Sequence, residues 1–598
     1  MIKITDQYLQ TELSRFIWKD KYKYQDNANE YDHCIEDTWL RVASGLSRTE
    51  KHKQKYWQEN FYNILEDFKF IPGGRILAGT DTNHKVTLFN CFVMGVIEDS
   101  LDSIFDNLKE AALTMQQGGG IGYDFSTLRP RGSAAITTGA IASGPVSFMH
   151  VWDRMCETII STGSRRGAMM ATLRCDHPDI MEFITAKAAG NVLKHFNLSV
   201  LVTDEFINAV KNNHDWKLVF PCTNKENYSR NDSNIIFRRW SGETNSIPCK
   251  ILKVIKARTL WNNIMQSTYD YAEPGVLFID RINQLNNLYY QEYISATNPC
   301  GEIPLPAYGA CDLGSINLTK FIKNPFTEKA EIDISGINET ASIATRLLDN
   351  VIDTSHFPLK KQKIQAQQSR RIGLGFTGLA DALIMLGIHY GDSAARDKAR
   401  TIMESITHSA YQTSIELAKE KGSFLSFNKD KFMQSIFIQS LPEFITRGIG
   451  RFGIRNSHLT AIAPTGTISL LANNISSGIE PIFALTYERD ILMRDNITEK
   501  HTVNDYAYSL WKKLNTSNLS LPDYFVTANQ LAPEHHLKMQ AAIQPLVDNA
   551  ISKTINIDKS YPYEKFCSLY MTAYENNLKG CTTYRQNIIT GSLINKLD

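Results

Sequence analysis

Apolar residues recur along the chain in two rhythms, one typical of helices and one typical of buried strands. Over 101–117 they fall three or four positions apart, and 146–160 repeats that spacing, so each segment should form a helix with one apolar face. Short apolar runs at 196–202 and 459–463 are interspersed with a longer helical pattern at 401–420. Strands that alternate with helices favour an α/β protein with parallel strands.

The start of the chain differs from the rest. Residues 1–70 are rich in aromatic and charged side chains and follow a helical pattern, and the Pro-Gly run at 70–80 marks a boundary. We therefore expect a helical region over 1–80 and a larger α/β domain over 81–598. The polar stretch 223–247 should form an insertion or a surface hairpin.

Composition limits the classes of function. The 598 residues carry 64 Lys and Arg against 63 Asp and Glu, a net charge of +1. This balance does not favour a nucleic acid or a membrane surface as partner. No apolar run approaches the ~20 residues of a membrane helix, and the polar N-terminal sequence lacks the apolar core of a signal peptide. We expect a cytoplasmic protein.

The spacing of the cysteines argues against common metal-binding and redox motifs. Ten are present and no pair has C-x-x-C spacing, which argues against zinc-ribbon and thioredoxin-like sites, and no metal site is expected. In a cytoplasmic chain of this size, most cysteines should be reduced and buried as small apolar residues, and a minority should be catalytic.

Two glycine-containing segments are candidates for binding phosphate. Gly373-x-Gly375-x-x-Gly378 matches a dinucleotide fingerprint, but the residues before it are too polar for a buried strand, so we expect a glycine turn that opens a helix. The segment 463–469 is the better candidate, because an apolar strand runs into hydroxyls and a glycine whose N–H and Oγ groups can bind phosphate. An ordinary turn at a strand end is the alternative.

The segment 298–317 carries the densest reactive chemistry. An amide, a thiol and a carboxylate occupy every second position, at Asn298, Cys300 and Glu302. Nearby prolines forbid a regular helix. In an extended loop such alternate residues share one side, so all three can face one ligand. Cys311 adds a second thiol. A buried loop with two inert cysteines is the alternative.

This segment, read as N-P-C-G-E followed by Y-G-A-C-x-L-G-S-I-N, resembles the finger-loop signature of ribonucleotide reductases, most closely those that use adenosylcobalamin. Other segments resemble the same family in the same order over about 60–590. They are LFNCFV around Cys91, DSLDSIF (99–105), GGGIGYDFSTLRPRG (118–132), ASGPVSFM (142–149), GSRRGAMMA (163–171), APTGTISLLANNISSGIEPIF (463–483) and KGCTTYR (579–585).

The resemblance implies a fold and a means of control. The fold is a ten-stranded α/β barrel, in which two parallel half-barrels are arranged antiparallel around a central finger loop that carries Cys300. Helices within 99–163 would form a two-fold homodimer interface. Asp99, Ser100 and Leu101 would contact a dNTP or ATP effector there, and Lys187 would begin a loop that reports to the substrate base.

The resemblance also implies the roles of the site residues. Cys300 would carry a thiyl radical that abstracts the ribose 3′-hydrogen, Glu302 would act as general base, and Asn298 would hold the ribose hydroxyls. Cys91 and Cys311 would be the dithiol that supplies two electrons and becomes a disulfide. A thioredoxin-like protein would re-reduce it. The substrate phosphates would be held by Thr465, Gly466, Thr467 and Ser469.

The alternative kinds of reductase differ in the source of the radical. The stretch 581–585 has a single tyrosine, Tyr584, where reductases fed by a metal-bearing subunit have two adjacent ones, and no glycyl-radical motif is present. Adenosylcobalamin is therefore the expected cofactor. A reductase that uses a separate metal subunit and a catalytically silent nucleotide-binding homologue remain as alternatives. No cysteine follows Cys581, so the reductant is expected to reach the site directly, through another chain, or through a C-terminal tail that is not part of this sequence.

Overall fold

The computed structural model describes residues 7–25, 31–134, 141–159, 167–188, 190, 192–222, 232–492, 498–515, 520–585 and 594–596. Its strands, in chain order, are β1 (Phe70–Pro72), β2 (Cys91–Val93), β3 (Gly120–Asp124), β4 (Met169–Arg174), β5 (Phe196–Val202), β6 (Asp215–Pro221), β7 (Ile235–Arg239), β8 (Ser246–Lys256), β9 (Gly275–Phe278), β10 (Ala296–Thr297), β11 (Pro304–Leu305), β12 (Ala310–Asn317), β13 (Ile322–Lys323), β14 (Glu331–Ile332), β15 (Ile372–Thr377), β16 (Thr486–Leu492), β17 (Thr498–Asn504), β18 (Thr554–Ile557), β19 (Gly580–Arg585) and β20 (Ile594–Lys596).

The helices begin with a cluster near the N-terminus and then alternate with the strands. They are α1 (Glu12–Ile17), α2 (Ile35–Ser47), α3 (Gln54–Leu65), α4 (Gly74–Gly79), α5 (Leu101–Gln116), α6 (Pro145–Thr158), α7 (Ile180–Ile184), α8 (Asp204–Asn212), α9 (Ala257–Tyr271), α10 (Ile279–Gln284), α11 (Ile334–Thr354), α12 (Lys360–Ser369), α13 (Leu379–Met385), α14 (Ser393–Lys421), α15 (Lys429–Phe432), α16 (Ile436–Ser440), α17 (Glu443–Phe452), α18 (Gly466–Leu471), α19 (Tyr506–Leu514), α20 (Pro533–Ile543) and α21 (Tyr563–Glu575).

Ten extended segments close into a ring. Strands β2, β3, β4, β5 and β9 are parallel neighbours in that order and form one half-barrel. In the other half, β12 pairs with β15 and β18 pairs with β19, each in parallel. Parallel bridges from Leu374 to Thr460 and from Ile462 to Ile551 join these two pairs through the segment 459–463.

The two half-barrels run in opposite directions. Strand β12 pairs antiparallel with β2 at one seam, and β19 pairs antiparallel with β9 at the other. Buried side chains fill both faces of these strands; all six residues of β4 and all eight of β12 are buried. This is the pattern of parallel strands covered by helices. The α/β barrel predicted from the family resemblance is confirmed.

Two helices and one strand of this fold were predicted from the periodicity of the sequence. The predicted helices at 101–117 and 146–160 are α5 and α6, and the predicted strand at 196–202 is β5. The polar stretch after β6 contributes β7 and part of β8 to a separate antiparallel sheet. The boundary near residue 80 stays a prediction, since β1 lies before it and already pairs with β12 of the barrel.

The glycine fingerprint was interpreted wrongly. Gly373 and Gly375 lie inside the buried strand β15, and only Gly378, with a positive φ of 75°, opens a helix. A Cβ on Gly375 would come within 2.1 Å of the Ala461 carbonyl oxygen. These glycines therefore allow neighbouring segments of the barrel to approach closely. The polar residues before them form α12 rather than a strand.

Candidate active site

A short hairpin carries Asn298, Cys300 and Glu302 inside the barrel. Strands β10 and β11 form its stem, and hydrogen bonds close its tip. The Asn298 Oδ1 accepts the Ile303 N–H at 3.0 Å, and the Asn298 carbonyl accepts the Gly301 N–H at 3.1 Å. Gly301 has a φ of +83°, which glycine adopts without strain. This turn leaves Cys300 exposed and buries Asn298 and Glu302.

The hairpin is held against the barrel wall at two points. A Cβ on Gly122 of β3 would lie 1.9 Å from the Thr297 carbonyl oxygen, so only glycine lets the stem pack this closely. On the opposite half-barrel, the Ala550 N–H donates to the Glu302 carbonyl at 2.9 Å. The finger loop therefore spans the interior from one half-barrel to the other.

Cys91 and Cys311 face each other across the antiparallel seam. They are register partners in β2 and β12, and such pairs have Cα atoms about 4.5–5.5 Å apart. That separation lies within the ~4.4–6.8 Å typical of disulfides. Both thiols are free in this structure, and both belong to one small apolar cluster with Ile303 of the finger loop.

Hydrogen bonds connect one thiol of this pair to the finger loop. The Asn298 Nδ2 donates to the Cys91 Sγ at 3.1 Å, and the Cys91 Sγ–H donates to the Glu302 Oε1 at 3.7 Å. The Cys311 Sγ–H donates to the Asp312 carbonyl at 3.3 Å. The structure thus brings together four of the five predicted reactive residues through contacts, with Cys300 at the loop tip between them.

Burial sets the protonation of the two wall thiols. Desolvation raises the pKa of Cys91 well above the usual value, and the neighbouring Glu302 carboxylate adds to this. Desolvation also raises the pKa of Cys311 well above the usual value, with Asp312 as the next contributor. Both side chains therefore remain neutral thiols, able to give up a proton only to a strong acceptor.

Cys300 lies between two cavities. The first, which we call the loop-tip cleft, measures about 220 Å³ and lies at the amino ends of β2, β3 and β4. It contains all three residues of the finger-loop motif, together with Cys91. The second, which we call the edge cavity, measures about 860 Å³ and lies beside β19. Cys300 and Pro299 line both.

The predicted phosphate loop forms one side of the loop-tip cleft. Thr465, Gly466 and Thr467 line it, and Thr465 adopts a positive φ of 52° that turns the chain into α18. Ser469 is placed differently, because its buried hydroxyl contacts the Thr465 hydroxyl at 3.1 Å and the Thr377 hydroxyl at 3.2 Å. Ser469 thus supports the loop from behind.

Sequence reasoning missed two cationic residues of the loop-tip cleft and one support of its loop. Arg75 and Lys21 line the cleft, so two cationic side chains lie in the same cleft as the phosphate loop. Thr377 of β15 bonds both Thr465 and the Gly478 N–H. The adjacent glycines before Arg75 were a signal for a turn, but nothing in the sequence places that turn beside residue 465.

The edge cavity is lined by residues of both half-barrels where β9 meets β19. Lys553, Lys579, Cys581 and Tyr584 are among them. Burial lowers the pKa of Lys579 to about 7, and its Nζ donates to the Asp548 carbonyl at 2.6 Å and to the Asn549 carbonyl. No histidine is among the described residues that line this cavity.

The predicted effector residues lie in two places. Ser100 caps α5 by accepting the Ser103 N–H at 3.2 Å, and Asp99 pairs with Arg129 at 2.7 Å. Leu101 is 64% exposed at the start of the same helix. Lys187 lies on the wall of the edge cavity and pairs with Glu273 at 2.6 Å. Positions 189 and 191 of the predicted loop that begins at Lys187 lie outside the described residues.

Comparison with known proteins agrees with this arrangement. The family model for the ribonucleotide reductase barrel domain matches residues 89–584, and the model for the ribonucleotide reductase all-alpha domain matches residues 8–85. In the described part of the chain, no helix is long and apolar enough to cross a membrane.

Individual relatives match over most of the chain. A vitamin B12-dependent ribonucleoside-diphosphate reductase of Mycobacterium tuberculosis (strain CDC 1551 / Oshkosh) is 36% identical over 92% of this chain and 75% of its own length. One of Thermoplasma acidophilum is 36% identical over 93% of this chain and 68% of its own length. A ribonucleoside-diphosphate reductase subunit alpha of Chlamydia pneumoniae is 27% identical over 91% of this chain and 56% of its own length. Together with the barrel and its central thiol-bearing loop, these matches show that the chain belongs to the ribonucleotide reductase family.

Proposed function

We propose that this chain reduces ribonucleoside diphosphates to 2′-deoxyribonucleoside diphosphates, with a thiyl radical on Cys300 that adenosylcobalamin generates. The observation that carries the proposal is the position of Cys300, exposed at the tip of a loop between two cavities. One cavity suits the substrate and the other suits a bulky cofactor. Two relatives with 36% identity are named as vitamin B12-dependent ribonucleoside-diphosphate reductases.

In the loop-tip cleft, Cys300 would remove the 3′-hydrogen of the ribose. Glu302 would take the proton of the 3′-hydroxyl as general base. Asn298, whose carbonyl oxygens are already fixed by Ile303 and Gly301, would orient the ribose hydroxyls with its remaining amide donor. The rigid hydrogen bonding of the hairpin tip supports this role, since the reacting groups must be held in one geometry.

Cys91 and Cys311 would act as acid and reductant. A thiol with a raised pKa keeps its proton at neutral pH, so Cys91 can protonate the departing 2′-hydroxyl. The two thiols would then give two electrons to the substrate and form one disulfide, and a thioredoxin-like protein would reduce that disulfide for the next turnover. Their register pairing makes the disulfide possible without movement of the strands.

The edge cavity fits the cofactor. It measures about 860 Å³, Cys300 lines it, and residues 580–584 of β19 form part of its wall. The residues of β19 that line the cavity would hold the cofactor beside Cys300. When bound, adenosylcobalamin supplies the radical that Cys300 needs, since unaided side chains do not start such chemistry.

The substrate diphosphate would lie against Thr465, Gly466 and Thr467. Their hydroxyl and backbone N–H groups supply neutral donors, and Arg75 supplies charge. Ser469 would act by fixing Thr465 through their hydroxyl contact.

Control by nucleotide effectors would use a homodimer. Leu101 and Phe105 are 64% and 53% exposed on α5, an unusual amount of apolar surface for one helix. Isologous packing of α5 and α6 against their counterparts in a second copy would cover this face. An effector bound by Asp99, Ser100 and Leu101 would then select the substrate base through the loop that begins at Lys187.

One finding opposes each alternative. A metal-bearing radical subunit would need a radical relay, and the edge-cavity wall offers Tyr584 without an adjacent tyrosine. A silent homologue would have no reason to keep four reactive side chains lining one cleft, with Cys311 paired opposite one of them. None of the ten cysteines forms a disulfide, which suits a reducing cytoplasmic location.

The direct test is anaerobic incubation of the purified chain with a ribonucleotide, a dithiol and adenosylcobalamin, followed by assay of deoxyribonucleotide. Product should form from CDP with adenosylcobalamin and should be absent without it. A parallel reaction with CTP tests the diphosphate assignment. Product that forms without cobalamin when an iron or manganese subunit is added would overturn the proposal.

A further inference from the structure

A third cavity, which we call the base cavity, lies at the opposite end of the barrel from the loop-tip cleft. It measures about 650 Å³, within the usual range for small-molecule sites. Arg174, Thr203 and Asp280 line it; Arg174 ends β4, Thr203 directly follows β5, and Asp280 lies two residues after β9. The carboxyl ends of parallel strands are where α/β proteins most often bind ligands. The proposed radical chemistry makes no use of this cavity.

The rim of the base cavity is apolar and exposed. Phe237 of β7, Tyr289 after α10 and Ile436 of α16 all line it, and they are 47%, 37% and 53% exposed. Three elements that are distant in sequence thus present flat or branched apolar groups to one opening. Such a rim suits a planar, partly apolar ligand.

One cation in the base cavity is available to a ligand. Arg174 is paired with Asp176 at 2.8 Å and Arg238 with Glu205 at 2.8 Å. The exposed guanidinium of Arg239 has no ion pair or hydrogen bond among the described residues, and lies 4.2 Å from the centre of the Tyr293 ring. A stacked guanidinium keeps its hydrogen-bond donors free for phosphate.

The floor of the cavity adds buried acceptors. The Glu292 side chain is 5% exposed; its Oε1 pairs with Arg371, and its buried Oε2 has no hydrogen-bond partner among the described residues. Asp280 accepts the Asp204 N–H at 2.8 Å and forms no ion pair among those residues. A buried carboxylate oxygen without a donor is costly, and a ligand amine would satisfy it.

We propose that the base cavity binds a nucleoside phosphate with an exocyclic amino group, at a site separate from the substrate and effector sites. The base would stack within the rim of Phe237 and Tyr289 and donate its amine to Glu292 or Asp280. The phosphate would bind Arg239. The floor continues into the finger loop, because Arg371 also donates to the Pro304 carbonyl at 2.9 Å.

Photolabelling of the full-length chain with 8-azido-ATP tests this, without cofactor or reductant, so the outcome does not depend on turnover. Peptide mapping should place label within 235–239 or 289–293. Arg239→Ala should lower that label at least tenfold, whereas Lys250→Ala, which removes a charge from the neighbouring strand outside the cavity, should leave it unchanged. ATP should compete more strongly than adenosine, and inorganic phosphate should compete weakly.

Three results would overturn the proposal. They are label that avoids both peptides, equal loss of label in the Arg239 and Lys250 variants, and competition by adenosine or inorganic phosphate that equals competition by ATP. The first would mean that the cavity takes no nucleotide. Equal loss of label in the two variants, or equal competition by adenosine, would mean that Arg239 does not bind a phosphate. Equal competition by inorganic phosphate would mean that the site binds anions alone.

Discussion

Cysteines lie both at the tip of the finger loop and at the seam between the half-barrels, but in opposite environments. Cys300 is exposed, at a turn between two cavities. Cys91 and Cys311 are buried opposite each other on rigid strands, and burial raises the pKa of both. A radical carrier needs access to a cofactor and a substrate. A dithiol needs a fixed partner and protection from unwanted reaction.

Backbone placement, rather than residue type, decides which of the three thiols is exposed and which two are buried. A loop with a glycine at positive φ exposes one thiol, and an antiparallel register fixes the other two. The finger loop then brings Asn298 and Glu302 to the Cys91 sulfur, so that the two regions meet at one hydrogen-bonded point. Substitutions on either side of that point should fail in different ways.

The largest effect is expected at the loop tip. Cys300→Ser replaces sulfur by oxygen, whose O–H bond is too strong to yield an accessible radical, so turnover should fall below detection. Nucleotide binding should persist because the phosphate loop is unchanged. Deoxyribonucleotide assay and equilibrium dialysis measure the two properties, and Cys567→Ser, a change outside both cavities, is the control. Turnover above a few per cent in Cys300→Ser would contradict the role.

The next effect is expected at the seam. Cys311→Ser leaves the loop tip intact but removes half of the dithiol, so the 3′-hydrogen is still abstracted and the two electrons are not delivered. The substrate should decompose with release of free base, and cofactor should be consumed. Chromatography of the bases detects this outcome. A variant that simply binds substrate and remains inert would show that Cys311 is not the reductant.

Removal of the carboxylate between the two regions should slow the reaction without changing its course. Glu302→Gln keeps the shape of the side chain and removes the base, and a general base is worth about 10²–10⁴ in rate. The value of kcat should fall by that factor while the base-release product of the seam variant stays absent. Unchanged kcat would remove Glu302 from the mechanism.

The smallest effect concerns stability at alkaline pH. The folded chain keeps the Cys311 proton above the ordinary thiol pKa of 9.0, whereas the unfolded chain releases it, so the free energy of unfolding should fall as the pH rises above about 9. Each such thiol contributes a slope of up to about 1.4 kcal/mol per pH unit. Denaturant titrations from pH 8 to 10 should give a shallower slope for Cys311→Ala than for the parent chain. Equal slopes would show that burial does not hold the proton.

Local features of the chain could be predicted from the sequence, whereas contacts between distant segments could not. Helices α5 and α6 and strand β5 follow from periodicity. The alternation of Asn, Cys and Glu between prolines predicts only an irregular loop, and its place as a finger loop inside the barrel follows from the family resemblance. Strand β15 could not be predicted, because its glycines are explained only by the approach of Ala461, which lies 86 positions away from Gly375.

The residues that surround the site could not be predicted from the sequence either. Arg75 reaches the loop-tip cleft through the pairing of β1 with β12, a contact between segments more than 240 residues apart. Ser469 matches the phosphate-loop pattern as well as Thr467 does, and only the packing of Thr377 against it places its hydroxyl behind the loop. The pattern predicts candidate reactive residues, and the barrel determines which of them line the loop-tip cleft.

The central claim, that Cys300 is the group that abstracts hydrogen, is tested most directly with a ribonucleoside diphosphate tritiated at the 3′-position. With adenosylcobalamin present, the parent chain and Cys311→Ser should both move tritium from the substrate into cofactor or solvent, and Cys300→Ser should move none. If Cys300→Ser still exchanges tritium, the loop-tip thiol is not the abstracting group and the assignment of roles to the two regions is wrong.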